Sequence, residues 1–384
     1  MNSLPSLPFR NLLRFLLKPA LAGVWLLAAG TAGAQGPLPR STPEAQGVSS
    51  AGVRAYLEAA DRGVKSMHSF MLIRHGHVVA EAWWKPQTPE TAHQMWSLSK
   101  SFTSTAVGLA LADGKLKLED PVLKFFPEEA PAEISDHLRA MTVKDLLTMT
   151  CGHETEVKLS LTDTVPWVRA FLAHPVPHAP GTHFQYNTPG THMLSAIVRK
   201  VTGETVLDYL RPRLFAPLGI EHPEWPASPQ GNTIGGWGLK VRTEDIAKFG
   251  QLYLQKGQWQ GKPLIPAPWV EQASARQVPN AAGRKNPDES DWAQGYGFQF
   301  WRCRHGAYRG DGKDGQFCLL LPEQDVVVAI TADTGDMQQE LNVVWDHLLP
   351  ALQKGTLPEQ PEELAKLKAL TTRLTVSPPP AVAK

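Results

Sequence analysis

Cysteine is scarce in this chain: Cys151, Cys303 and Cys318 are scattered through 384 residues. An odd, dispersed count makes no disulfide framework, and without paired C-x-x-C spacing it makes no structural zinc site. Cys303 and Cys318 are expected on strands separated by a third, ~10 Å apart and too far to bridge. Free, buried thiols are therefore expected. Charge of one sign is also lacking. The 38 basic and 37 acidic residues leave a net charge of +1, so no polyanionic partner is called for and no nucleic acid is expected. Long apolar runs are missing beyond the N-terminus. There, residues 20–29 are apolar but fall short of the ~20 residues a membrane span needs. Arg10, Arg14 and Lys18 precede this run, and Ala32-Gly33-Ala34 follows it. The pattern predicts a cleavable export signal over residues 1–34, a mature start at Gln35, and a periplasmic or secreted protein with no stable membrane insertion. No Cys follows the apolar run, which argues against a lipid anchor. Internal repeats are absent, and so is G-x-S-x-G, which removes the α/β-hydrolase nucleophile elbow.

Glycine (31), proline (33) and tryptophan (12) are plentiful. The first two predict many turns; the third supplies candidates for a cleft wall or for core packing, with Trp83, Trp84, Trp96, Trp237, Trp292 and Trp301 foremost. Periodicity predicts a first helix over 44–64, with Val53, Tyr56, Leu57 and Ala60 on one face. A hairpin follows over 69–84, turning at His75-Gly76-His77. An apolar helix spans 97–112, and a short one spans 142–149. Two further helices are expected over 191–201 and 205–214. Gly235-Gly236-Trp237-Gly238 is a candidate strand start, and 243–255 reads as a helix capped by Thr243. Strands are expected over 296–303, 316–321 and 326–331, then a closing helix over 341–352. The Pro-, Lys- and Glu-rich residues 355–384 read as a disordered tail. The order predicts an α+β fold, sandwich-like. An antiparallel sheet is built from both chain ends (35–85 and 230–354), flanked by helices, with a mainly helical insertion over 86–229.

Ser97-Leu98-Ser99-Lys100 is the only S-x-x-K in the sequence. At a helix start, residues three apart share one face, with Cβ atoms about 5–6 Å apart. A serine hydroxyl needs a base, and a lysine serves only if burial or nearby charge lowers its pKa. Met95, Trp96 and Phe102 flank the pair, so an apolar wall is expected. The helix N-terminus also offers backbone N–H groups to an oxyanion.

The run from Met95 to Phe102 resembles the nucleophile motif of class C β-lactamase-like serine hydrolases. The runs from Gly114 to Pro121 and from Thr142 to Gly152 carry the same resemblance. Phe184-Gln185-Tyr186-Asn187 is similar to the family's second motif, and Gly235-Gly236 followed by Arg242-Thr243-Glu244-Asp245 to a structural landmark. The likeness covers residues 44–352 and is nearest to the branch with penicillin-binding esterases and 6-aminohexanoate-oligomer hydrolases. It implies that Tyr186 assists proton transfer. The motif's usual amide position falls on Thr188, with Asn187 one residue early, so Asn187 is a candidate for lining the site. The third motif aligns with Tyr308 to Gly315. Gly310 stands where the family has a cation, Gly312 is the motif glycine, and the N–H of Lys313 would pair with that of Ser97 as oxyanion donors. Arg309 and Lys313 are candidates to replace the missing charge.

The same stretch spells G-x-G-x-x-G, but a strand follows it and no nucleotide is expected. Asp311 and Asp314 lack a calcium loop. His153-Glu154 opens like a zincin motif, yet Val157 replaces the second histidine. The remaining histidines, His93 included, read as surface or core residues. No metal and no cofactor is expected. Three readings follow: a hydrolase of esters or small linear amides; a D-amino-acid peptidase or β-lactamase, disfavoured by Gly310; and a non-catalytic penicillin-binding-type protein. Oligomeric state stays open.

Overall fold

Six strands from the two ends of the chain form one antiparallel sheet. In the computed structural model, residues 36–283 and 285–376 are described. The expected export signal and Gln35 lie outside them. The strands are β1 (Met67–Arg74), β2 (His77–Trp83), β3 (Trp301–Arg302), β4 (Tyr308–Gly312), β5 (Gln316–Leu321) and β6 (Val326–Ala332). Their spatial order is β2-β1-β6-β5-β4-β3. The hairpin turns where expected, with His75 and Gly76 at φ 49° and 75°. The β6 run, VVVAITA, is buried along its whole length. A run apolar on both faces needs cover on both, and it has that cover.

On one face, Val326, Val328 and Ile330 pack with Phe70, Leu72, Phe317 and Leu319 against α1 (Ser50–Gly63). On the other, Met71, Val327, Ala329 and Leu320 meet α2 (Ser99–Ala112) and α5 (Thr243–Leu254). The chain between β2 and α5 is mainly helical and includes α3 (Val143–Leu147) and α4 (Thr188–Thr202). The architecture is the expected α+β one, with the sheet sandwiched between helices.

Small residues let the second face close tightly. Ala329 pairs with Cys318, and Cys318 with Gly310, in one row across the sheet. Above that row, a Cβ on Gly250 of α5 would lie 2.5 Å from Val327 Cγ1 and 2.9 Å from Cys318 Sγ. A Cβ on Gly310 would lie 2.2 Å from Leu98 Cδ1. These contacts leave no room for side chains, so α5 and the turn leading into α2 rest directly on the strands. Ser69 Oγ, at the sheet's centre, bonds Thr243 Oγ1 (2.6 Å) and Thr331 Oγ1 (2.5 Å), pinning the start of α5.

Several local expectations need correction. The first helix starts at Ser50 with Ser49 as its cap; residues 44–46 form a separate turn, broken by Gly47 at φ 71°. Thr243 lies inside α5. Its hydroxyl is spent on Ser69, and Asp245 Oδ2 accepts from the Arg242 N–H (2.9 Å). Residues 235–238 form a loop, not a strand start, and the 296–303 run yields only two strand residues. The closing helix begins at Met337 (α6, Met337–Val343) and winds on as a wider turn over Val344–Leu348. All three cysteines are buried and free.

The largest correction is the tail. Residues 361–373 form α7 (Pro361–Arg373), and residues 377–384 lie outside the described part. Leu367, Leu370 and Leu374 are buried in the core shared with α1, and Arg54 of α1 pairs with Glu363 (3.0 Å). An apolar stripe at helical spacing outweighs the charged composition. Leu370→Ala should therefore lower stability by about 2–4 kcal/mol, read as a shift of the urea midpoint. An unchanged midpoint would restore the disordered reading of this segment.

Candidate active site

The nucleophile candidate sits in a tight turn, Trp96–Leu98, that leads straight into α2. Trp96 takes φ 46°, an unfavourable value for a bulky side chain. Two bonds hold it there: Met95 N–H to Leu239 O (2.8 Å) and Leu98 N–H to Met95 O (2.9 Å). Ser97 remains half-exposed while Leu98, Ser99 and Lys100 are buried. The first turns of α2 are rich in Ser and Thr, yet each buried hydroxyl has a partner. Thr103 Oγ1 donates to Gly235 O (2.9 Å), Ser101 Oγ to Gln299 O (2.8 Å) and Ser104 Oγ to Phe298 O (2.7 Å). These bonds tie the loops that wall the site to the helix that follows Ser97.

Lys100 Nζ lies 2.9 Å from Ser97 Oγ, 2.8 Å from Gly236 O and 3.3 Å from Thr188 Oγ1. A neutral amine has two N–H donors and one lone pair. All three oxygens accept from the ammonium; once it is deprotonated, Gly236 O and Thr188 Oγ1 keep the two donors and the lone pair is left for the Ser97 hydroxyl. Burial pushes the Lys100 ammonium down from its ordinary 10.5 to about 7, against the opposing pull of Glu156 and Asp311. The glycine pair makes this possible. A Cβ on Gly236 would lie 2.7 Å from Thr188 Cγ2, so only glycine lets that carbonyl reach the amine.

Tyr186 completes the group. Its ring lies 4.9 Å from Lys100 Nζ and stacks on Trp301 at 5.4 Å and 25°. Its hydroxyl faces that of Ser97. Burial pushes the phenol up, the Ser97 contact opposing, so it keeps its proton at neutral pH. Gly312, at the end of β4, presses on the nucleophile turn: a Cβ there would lie 2.2 Å from Met95 O. Lys313 follows, its side chain exposed and its Nζ 5.3 Å from the Trp96 ring centre.

The family model described as Beta-lactamase matches residues 53–353. The chain belongs to the Beta-lactamase family. It is 25% identical over 287 residues to a 6-aminohexanoate-dimer hydrolase of Paenarthrobacter ureafaciens, covering 68% of this chain and 71% of that one. It is 23% identical to penicillin-binding protein 4 of Amycolatopsis lactamdurans, covering 71% and 80%. A Bacillus anthracis structure, proposed as a 6-aminohexanoate-dimer hydrolase, superposes with a TM-score of 0.66 at 19% identity, over 85% and 90% of the two chains. Kinship with hydrolases and penicillin-binding proteins assigns this β-lactamase-family chain to the β-lactamase-like serine hydrolase superfamily.

Two expected residues stand elsewhere. Asn187 does not line the site. It is buried as the cap of α4, its Oδ1 accepting from the Gly190 N–H (2.9 Å) and its Nδ2 meeting His153 Nδ1 (3.0 Å). Because α4 begins at Thr188, that threonine takes the motif position and faces Lys100. Arg309 points to the opposite face of β4. It is buried with Asp311 (2.8 Å) and lies over the Trp292 ring (4.3 Å). Gly310 is closed by Leu98, so β4 carries no cation toward Ser97, and the exposed Lys313 just beyond it pairs with Asp314 (3.6 Å).

Sequence reasoning put Thr188 at the motif's amide position and Gly236 in a landmark without giving either a contact to Lys100, and it missed Glu156 and His192 altogether. Glu156 accepts from the Thr188 N–H. A cleft of about 330 Å³ opens beside Thr188, between Glu156, Val157, Trp167, His192 and Trp237. The His192 Nδ1–H donates to Ile234 O (3.0 Å), and burial pushes the ring down to about 4. Its Nε2 is thus a neutral acceptor, with no partner among the described residues. Of the tryptophans, Trp96 and Trp237 border the site, Trp301 supports Tyr186, and Trp84 is core.

Folding lowers the proton affinity of Lys100. Between about 7 and 10.5 the unfolded chain holds a proton that the folded chain does not, so this group makes stability rise with pH across that window. Urea unfolding of wild type and Lys100→Met should show the wild type gaining a few kcal/mol relative to the variant from the lower to the upper end. Parallel profiles would show that Lys100 folds with its proton retained.

Proposed function

We propose that this chain is a serine hydrolase that cleaves esters or small linear amides through an acyl-enzyme on Ser97. The observation that carries the reading is the 2.9 Å contact between Ser97 Oγ and the buried amine of Lys100. Lys100, neutral, takes the Ser97 proton, directly or through Tyr186. Ser97 Oγ bonds to the substrate carbonyl carbon, and the backbone N–H groups of Ser97 and Lys313 hold the oxyanion. The leaving alkoxide or amine departs with a proton relayed by Tyr186. Water then gives a proton to the same base and attacks the acyl carbon. The Ser97 oxygen leaves and is reprotonated, and the free acid is released.

Two features favour linear esters and amides over β-lactams and peptidoglycan peptides. Gly310 removes the strand cation that would hold a carboxylate beside the reacting carbonyl. The cleft beside Thr188 is lined by aromatic rings and by the His192 acceptor, which suits an extended chain with an N–H or O–H donor. The relatives named as 6-aminohexanoate-dimer hydrolases lend support to a linear amide.

A panel of short-chain esters, 6-aminohexanoate dimers and a chromogenic cephalosporin tests the reading. Esters or linear amides should turn over, and Ser97→Ala should lose more than about 10³-fold in kcat. For the preferred substrate, kcat/KM should rise with pH through about 7 as Lys100 becomes neutral. Faster turnover of the cephalosporin, or a Ser97→Ala variant as active as wild type, would overturn it.

A further inference from the structure

Glu154 meets two histidines of a later loop, His178 and His183. Their ligand-type atoms all lie within 4.8 Å of one another. His178 Nε2 is in direct contact with Glu154 Oε2, and His183 Nε2 lies 4.0 Å from the same oxygen. The two imidazoles stack, with ring centres 4.2 Å apart and planes 23° apart. Both Nε2 edges therefore face one carboxylate.

The backbone beneath the three is unusually fixed for a surface cluster. The His178 N–H donates to Gly152 O (3.1 Å), and the Gly181 N–H donates to Thr150 O (2.9 Å). Gly152, at φ +86°, is so close to the 178 peptide that a Cβ would lie 2.2 Å from His178 O. A turn closed by the Thr182 N–H and hydroxyl on Ala179 O (3.2 and 2.6 Å) then delivers His183. Glu154 is two residues beyond Gly152. The segments carrying the ligands are thus locked together before any ion binds, which lowers the ordering cost of binding.

We propose that Glu154, His178 and His183 form a binding site for a divalent transition-metal ion, best suited to Zn²⁺. Two imidazole nitrogens and one carboxylate oxygen are a donor set for zinc, whereas magnesium and calcium take oxygen ligands. Zinc bonds of about 2.0–2.2 Å place tetrahedral ligand atoms about 3.3 Å apart. Glu154 and His178, now in direct contact, must part to that spacing, His183 must approach Glu154 by about 1 Å, and one imidazole must turn out of the stack so that both Nε2 lone pairs converge. All three side chains are partly exposed, so these are torsions of surface groups. Water would take the fourth position. The expectation of no metal rested on local spacing after His153-Glu154; the partners come from the next loop instead. Glu156, whose carboxylate meets the Thr188 N–H, is two residues from Glu154. A bound ion would therefore anchor one end of the segment that walls the cleft.

Calorimetric titration of ZnCl₂ into the tag-free chain at neutral pH tests the site. One Zn²⁺ should bind per chain, and MgCl₂ should give no saturable heat. His183→Ala and Glu154→Gln should each weaken binding more than about tenfold, a loss that even outer-shell partners produce. His222→Ala, at an exposed histidine outside the cluster, should bind as wild type. Circular dichroism reports whether each variant folds. If a triad variant does not fold, imidazole ¹⁵N signals of the wild type decide: Zn²⁺ should shift those of His178 and His183. Absence of saturable binding, unweakened binding in both triad variants, or shifts confined to other histidines would overturn the proposal.

Discussion

A lysine amine kept out of water, one turn along a helix from a serine hydroxyl, sets the terms for the rest of this structure. Burying an ammonium is costly, and the chain lowers the cost by letting the group lose its proton. The neutral amine must still place two N–H donors. Gly236 O and Thr188 Oγ1 accept them and leave the lone pair toward Ser97. The three anchors come from the turn leading into α2, from the start of α4 and from the glycine loop before α5. Much of the helical region is thereby committed to one nitrogen atom.

The sheet serves that arrangement by being thin where it meets α2. The row Ala329-Cys318-Gly310 offers almost no side-chain height, so the Trp96–Leu98 turn settles against β4 through Leu98. Gly312 brings the end of the same strand against Met95 O, beside Trp96 and Ser97. A larger residue at Gly310 would lift the turn from the strand. The closeness that positions Ser97 is therefore also what removes the strand cation. The tight seat of this turn and the missing strand cation have one physical origin.

Sequence showed what depends on neighbours along the chain. The S-x-x-K pair is one helical turn, and the hairpin turn is marked by Gly76. Thr142 and Asp145 cap α3 reciprocally, as their spacing suggests. Tyr186 was legible through its motif. What stayed hidden depends on where an element begins or on distant segments. A one-residue difference in the start of α4 decides that Asn187 caps and Thr188 faces Lys100. The β4 residues Tyr-Arg-Gly-Asp-Gly have little strand propensity and pair because their neighbours supply the ladder. The α7 leucines were masked by the Lys and Glu between them. Glu154, His178 and His183 are brought together only by the contact of two loops.

The central claim is that burial brings the Lys100 ammonium down to about 7, so that the amine loses its proton around neutral pH in the folded chain. Its most direct test is a ¹³C NMR titration of protein labelled at lysine Cε, with Lys100→Met to assign the signal. One resonance, missing from the variant, should titrate near 7 while the exposed lysines titrate at their ordinary alkaline values. A Lys100 resonance that keeps its charged shift up to pH 10.5 would contradict the account.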